Sequence, residues 1–232
     1  MDTAGPDARE RTAGPGRPTW TLPIVRILFA FLGFSALVTE IATLVARHRF
    51  AAGDFFSYFT VEANTLAVIS LVVSSFAGGT GASSRGLNFF RGAVTLCMTT
   101  VILIFIVLLS GYPASELTAV PWDNTVLHYI MPIVVMLDWL VAGPRAGIAW
   151  RSALLWLVIP LLYLAYSLIR GPIADWYPYP FMDPSTHGYL AVAVTSVVIA
   201  VVLAALTWVI AGVPRWLART GLRSSPAPTS SG

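Results

Sequence analysis

Six apolar runs are the feature of this sequence that most constrains its fold. A helix needs about 17 to 25 residues to cross the hydrocarbon core of a bilayer, and each run is long enough. The runs are 23–46, 56–77, 89–110, 124–142, 152–169 and 188–211. Only 11% of the residues are charged and 56% are hydrophobic, which excludes an ordinary soluble domain. The sequence therefore predicts an all-α, polytopic membrane protein with six transmembrane helices.

The basic residues predict how these helices are oriented. All fourteen are arginines, and eleven of them lie on one side of a six-helix arrangement. The other three are Arg47, Arg49 and Arg170. The positive-inside rule then predicts that both termini are cytoplasmic. The formal charge of +3 follows from this topology, so it gives no reason to expect a nucleic-acid partner.

The domain organisation is simple. Residues 23–216 are predicted to form one six-helix transmembrane domain. The segments 1–22 and 217–232 are rich in Pro, Gly and Ser and are predicted to be disordered cytoplasmic tails. The polar first twenty residues do not resemble a removable signal peptide. Arginine without lysine in an alanine-rich chain is typical of a GC-rich bacterium, so the predicted location is the bacterial inner membrane, crossed several times.

One outer loop, 170–189, combines prolines with several aromatic residues. Prolines prevent a helix from continuing through it. Aromatic side chains at this level normally form an interfacial belt, and a stiff lid over an outward-opening pocket is the alternative. Its His187 and Asp183 are too few to predict a metal site. The aromatic residues that stand among the prolines are Trp176, Tyr177, Tyr179 and Phe181.

Polar side chains inside the apolar runs need a partner or a cavity, because lipid cannot satisfy them. At about 1.5 Å per residue, Glu40, Thr60 and His128 lie roughly 6 to 9 Å below the predicted outer boundary. Glu62 points about 200° away from Thr60 and is expected to serve a different neighbour. Three polar or helix-bending residues share a face in each of two helices. They are Ser57, Thr60 and Asn64 in the second helix and Asn124, His128 and Pro132 in the fourth.

If the second and fourth helices are neighbours, these groups predict a site for acyl transfer. A hydroxyl becomes a nucleophile when a base takes its proton, and neutral histidine is suited to that role. Thr60 is the candidate nucleophile and His128 the candidate general base. Asn64 or Asn124 can donate to an oxyanion or hold the imidazole in one tautomer. The chain has no G-x-S-x-G motif, and no carboxylate is placed as a third member.

A different class of function explains the same residues. Threonine in a transmembrane helix usually bonds a carbonyl one turn back, and histidine and asparagine often join helices. The cluster then belongs to a small transporter, a solute-binding protein or a membrane scaffold without catalysis. Transporters favour broken helices that meet at the midplane, whereas this cluster is predicted nearer the outer face.

Three segments carry a resemblance to a known group. "FFSYFTVEANTL", "NTVLHYIMPIVVMLDWL" and "WYPYPFMDP" resemble the bacterial Pr-six-Pr integral membrane proteins. That group is similar to the eukaryotic androgen-induced protein family, six-helix threonine hydrolases that cleave fatty acid esters of hydroxy fatty acids. The resemblance covers about 23–216 and implies that Thr60 and His128 are the catalytic pair. It departs from the family pattern at Glu62.

The sequence thus favours an intramembrane hydrolase of lipid-like acyl esters, acting on membrane lipids or amphiphilic esters. No metal and no organic cofactor is implied. A second feature is predicted to be structural. Arg91 and Asp138 lie at similar depth near the cytoplasmic side, and opposite charges in lipid are best tolerated when paired. They are expected to form an ion pair.

Overall fold

The computed structural model describes residues 20–77, 84–112, 118–144 and 146–220. Those ranges are helical and contain no strand, as the sequence predicts. Six helices are long and apolar enough to cross a membrane, which confirms the fold class. We number them α1 to α6. Their bounds are Thr21–Ala46, Phe59–Phe76, Arg85–Leu109, Pro121–Ala142, Trp150–Ala174 and Pro184–Arg219.

The helix ends differ little from the predicted tail boundaries. Helix α1 begins within the predicted tail 1–22, and α6 continues to Arg219, inside the predicted tail 217–232. Residues 1–19 and 221–232 lie outside the described residues. We call the end of the bundle where α1 begins and α6 ends the terminal end. The opposite end, which carries the connections after α1, α3 and α5, is the loop end.

Helices α1 to α4 form the packed centre of the molecule. Helix α1 packs along α2, α2 along α3 and α3 along α4, and α1 also contacts the loop-end half of α4. Helix α2 contacts α4 directly, so the neighbourhood that the proposed site requires is present. Small residues permit the close approach, because a Cβ at Gly33 would lie 2.7 Å from the Met131 Cε atom.

Helices α5 and α6 flank this centre. A second apolar cluster joins them to α3 and α4 around Trp156, whose side chain is fully buried. The Trp156 ring occupies the space that a Cβ at Gly92 would need. Glycine at this position therefore sets how closely α3 and α5 approach. Helix α6 is interrupted at Gly188, where φ is 77°, a value that favours glycine.

Two helices widen locally into π-helical turns near the loop end. They are Phe105–Leu109 in α3 and Val126–Ile130 in α4. Pro132 has no N–H to donate to the carbonyl of His128, and proline inside a helix is a common cause of such departures. The two turns face each other, since the ring centroids of Phe105 and His128 are 4.3 Å apart. π-Helical turns are frequent at functional sites.

A buried ion cluster lies toward the terminal end. Asp138 Oδ2 is 2.8 Å from Arg91 Nη2, so the structure brings the expected pair together. Asp138 Oδ1 also lies 2.7 Å from Arg26 Nε. The sequence predicts only that Arg26 lies on the cytoplasmic side, and it does not predict this partner. The two arginine side chains are 2% and 4% exposed. Because burial of unpaired charge is costly, the shared carboxylate ties α1, α3 and α4 into one unit.

Candidate functional site

Thr60 and His128 meet where α2 and α4 touch near the loop end. Tyr58 has extended backbone, with φ −79° and ψ 124°, so α2 starts at Phe59 and Thr60 lies in its first turn. The Thr60 Oγ1 atom is 3.3 Å from His128 Nε2. Both residues are buried, at 8% and 5% exposed. The contact joins a hydroxyl to a potential base inside the bundle.

The orientation of the imidazole follows from its second nitrogen. His128 Nδ1 lies 3.1 Å from the backbone carbonyl oxygen of Asn124. A carbonyl oxygen only accepts hydrogen bonds, so Nδ1 carries the proton in the neutral ring. Nε2 then has a free lone pair and accepts from the Thr60 hydroxyl. The stacked Phe105 ring, at 29° to the imidazole plane, limits rotation of the ring.

A third side chain reaches the pair from the aromatic loop between α5 and α6. The Tyr179 Oη atom lies 3.3 Å from the Thr60 backbone nitrogen and 3.4 Å from Thr60 Oγ1. Tyr179 is buried, and it packs on Phe181 with ring centroids 5.4 Å apart. Burial raises the pKa of Tyr179 to about 12. Its hydroxyl therefore stays protonated and able to donate at neutral pH.

Tyr179 is the site residue that sequence reasoning missed. The sequence places the loop's aromatic residues at the membrane interface, as a belt or as a lid over a pocket. In the structure the loop ring of Tyr179 covers Thr60, and Tyr58 packs edge-on against it with centroids 5.8 Å apart. The prolines on both sides of Tyr179 were the available signal, because they predict a stiff segment. Its contact with α2 spans 119 residues of sequence.

Asn64 and Asn124 lie beside the pair, but they are engaged differently from the expectation. The Asn64 amide nitrogen donates to the carbonyls of Thr60, at 2.8 Å, and of Leu127, at 3.1 Å. It joins α2 to α4 and has no hydrogen left to offer a substrate. Asn124 orients His128 through its backbone carbonyl and not through its carboxamide. Asn124 lies in the regular segment Pro121–Thr125, directly before the π-helical turn that holds His128.

Ser57, Glu40 and Glu62 stand apart from the pair. Ser57 precedes α2, and its hydroxyl contacts the Gly53 carbonyl and Tyr166 Oη, so its predicted place on the face of α2 is wrong. Both carboxylate oxygens of Glu40 lie 2.9 Å from the Ala119 backbone nitrogen. Glu62 is exposed on the surface of the bundle, consistent with its expected separation from Thr60.

Two clefts meet at the site. One has an empty volume of about 890 Å³, including its open mouth, and is lined mainly by apolar side chains of α3, α5 and α6. The other has an empty volume of about 1650 Å³ and opens at the loop end, with charged side chains in its wall. Those charged residues are Glu40, Arg47, Arg49 and Asp54. Thr60, His128 and Tyr179 line both clefts, so the pair lies at the boundary between an apolar and a polar space.

Comparisons of this chain with protein-family models, with curated proteins and with solved structures found no match. The resemblance to the Pr-six-Pr and androgen-induced groups therefore stays a prediction. The geometry of the site lies within a multi-pass membrane protein of six helices.

Proposed function

We propose that the protein is an intramembrane hydrolase of lipid-like acyl esters, with Thr60 as nucleophile and His128 as general base. One observation carries the proposal. The Thr60 hydroxyl is 3.3 Å from the unprotonated Nε2 of an imidazole whose other nitrogen is held by the Asn124 carbonyl. A hydroxyl is activated in this way when hydrogen bonds link it to a base and link the base to a group that orients it.

The reaction proceeds in two halves. Thr60 Oγ1 bonds to the ester carbonyl carbon, its proton passes to His128 Nε2, and the carbonyl electron pair moves onto oxygen. Collapse of this adduct breaks the bond to the alcohol oxygen, which takes the proton from Nε2 and leaves. Water then adds to the acyl-threonine and gives a proton to Nε2. The second collapse returns a proton to Oγ1 and releases the carboxylic acid.

The two clefts support an amphiphilic substrate. The apolar cleft suits the acyl chain, since its wall consists of side chains such as Ile104, Leu161 and Ile199. The polar cleft suits the alcohol part of the ester and gives water a route to the acyl-threonine. An ester carbonyl between the two parts then lies beside Thr60. Membrane lipids and amphiphilic esters are therefore the proposed substrates.

Purified protein tests the proposal with a panel of acyl esters of different chain length. Thr60→Ala and His128→Ala should each abolish cleavage, and the double variant should be hardly worse than either, because both changes disable the same step. Thr60→Ser should keep activity, whereas Thr60→Val, which is close in shape, should not. The control is Thr207→Ala, a buried threonine in α6 whose hydroxyl bonds the Leu203 carbonyl.

Labelling with a lipophilic fluorophosphonate gives an independent measurement. The adduct should map to Thr60 and should be lost in His128→Ala. Equal cleavage by the wild type and both alanine variants across the panel, without an adduct on Thr60, would sink the enzyme proposal. The charged cleft at the loop end would then favour the competing function, binding or transport of a polar solute.

We also propose that the chain resides in a bacterial inner membrane with both termini in the cytoplasm. The support is the distribution of arginines in the sequence, since eleven of fourteen are predicted on the same side of the membrane as the two termini. In this orientation the loop end faces outward. The polar cleft then receives substrate from the outer side of the membrane.

A further inference from the structure

We propose that the Tyr179 hydroxyl and the Thr60 backbone N–H together form the oxyanion hole of the site. The inference rests on the proposed function, because it names the groups that stabilise the adduct formed by Thr60. The proposal gives the aromatic loop between α5 and α6 a role in catalysis, in addition to its predicted position at the membrane interface.

The hydrogen bonds around Thr60 form one consistent chain of donors and acceptors. The Thr60 hydroxyl donates to His128 Nε2, which has a lone pair because Nδ1 carries the proton. The Thr60 N–H donates to Tyr179 Oη at 3.3 Å. The hydrogen of Tyr179 is then available for Thr60 Oγ1, which lies 3.4 Å away. Tyr179 Oη is thus within reach of the nucleophilic oxygen and beside an N–H of the same residue.

Attack on an ester changes what these groups can bind. Thr60 Oγ1 becomes bonded to the former carbonyl carbon, and a full negative charge appears on the oxygen attached to that carbon. This oxyanion is a far better acceptor than either Thr60 Oγ1 or Tyr179 Oη. The Tyr179 O–H can turn toward it by rotation about its C–O bond, whereas the Thr60 N–H is fixed in the first turn of α2 and needs only to exchange Tyr179 Oη for the oxyanion as its acceptor. Donors that are already in place act most strongly where water is excluded.

Three of the other polar side chains near the pair donate to backbone carbonyls. Asn64 gives its amide hydrogens to two backbone carbonyls. The Thr100 hydroxyl donates to the Leu96 carbonyl, and the Tyr163 hydroxyl donates to the Ser57 carbonyl. Tyr179 differs from these because its nearest partners are the two atoms of Thr60 that take part in the reaction. Burial also keeps it protonated, as a donor must be.

The first measurement compares kcat and KM of the full-length protein with a long-chain fluorogenic acyl ester. Tyr179→Phe removes the hydroxyl and keeps the ring, so it should lower kcat about 10²- to 10³-fold and leave KM within about twofold. Tyr166→Phe is the matched control, because its hydroxyl contacts Ser57 Oγ and lies outside both clefts. A Tyr179→Phe variant with wild-type kcat, or with a changed KM alone, would overturn the inference.

The second measurement separates catalysis from loop stability. An acyl trifluoromethyl ketone forms an adduct with an oxyanion, whereas the matching carbinol fills the same space and cannot be attacked. Tyr179→Phe should raise the inhibition constant of the ketone about 10²-fold and leave that of the carbinol unchanged. Equal weakening of both would assign Tyr179 a structural role and refute the proposal. If the wild type neither cleaves esters nor forms the ketone adduct, the proposed function fails as well. If Thr60→Ala is inactive while Tyr179→Phe is normal, the inference fails alone.

Discussion

Replacing Asp138 by asparagine should destabilise the bundle more than removing Arg26, one of the two arginines that it binds. Asp138 accepts from Arg26 at 2.7 Å and from Arg91 at 2.8 Å, and it is 11% exposed. Asparagine leaves two buried guanidinium groups without a counter-charge. Breaking a buried pair in this way costs about 3 to 5 kcal/mol.

Removing one arginine should lower the free energy of unfolding by less, because the other arginine and Asp138 remain as a pair with no net charge. Arg26→Met leaves Arg91 paired with Asp138 and loses hydrogen bonds between charged groups, worth about 1.5 to 3 kcal/mol. A triple variant, Arg26→Met with Arg91→Met and Asp138→Asn, has no buried charge left in the cluster. Hydrophobic replacement of a complete buried ion group is often neutral. The triple variant should therefore be more stable than Asp138→Asn alone.

The assay is reversible unfolding of the purified protein in mixed detergent micelles, followed by far-ultraviolet circular dichroism. The expected order of stability is wild type, then Arg26→Met, then Asp138→Asn, with the triple variant above the last. If Asp138→Asn is no less stable than Arg26→Met, the charges are solvated and the reasoning fails. A triple variant as unstable as Asp138→Asn would mean that packing of the arginine stems and not charge balance decides the outcome.

Three further results are expected. Gly92→Ala should cost about 1 to 3 kcal/mol in the same assay, because its Cβ meets the Trp156 ring, and unchanged stability would mean that α3 and α5 separate easily. Burial raises the pKa of Tyr179 to about 12, so the contribution of this residue to the free energy of unfolding is complete below pH 10 and is lost as the pH rises toward 12. When unfolding is measured against pH, Tyr179→Phe should lack this loss of stability between pH 10 and 12. In intact cells whose native cysteine has been replaced, a cysteine at Ser185 should react with an impermeant thiol reagent and one at Ser83 should not, whereas the reverse pattern would invert the membrane orientation.

Hydropathy was sufficient to predict the six helices, because the length of an apolar run is a local property that the bilayer fixes. The meeting of Thr60 and His128 depended on an assumed neighbour relation between α2 and α4, which a helix rise alone does not supply. Ser57 was misplaced because the extended backbone at Tyr58 delays the start of α2. Helical spacing assumes 3.6 residues per turn, so it could not predict the π-helical turn that holds His128.

Other features were beyond the reach of local patterns. Tyr179 enters the site from a loop, and no periodicity predicts which way a loop side chain turns. The second arginine of the ion cluster was missed for a related reason. Arg26 lies near the start of α1, where a basic residue is expected to snorkel to the interface. Only the packing of α1 against α2 and α4 turns it inward to Asp138.

The π-helical turn of α4 separates two mechanical requirements that fall on one helix. Asp138 must face α1 and α3 to hold the bundle together, and His128 must face α2 to meet Thr60. In a regular helix each residue advances the direction of its side chain by about 100°, so the angle between two positions is fixed by their spacing. A wide turn adds a phase offset between the two halves. Deleting Tyr129 or Ile130, which lie between His128 and Asp138 in this turn, would change the angle between the imidazole and the carboxylate and so separate His128 from Thr60. Helix α4 thus consists of two segments, and the π-helical turn between them sets the angle between His128 and Asp138.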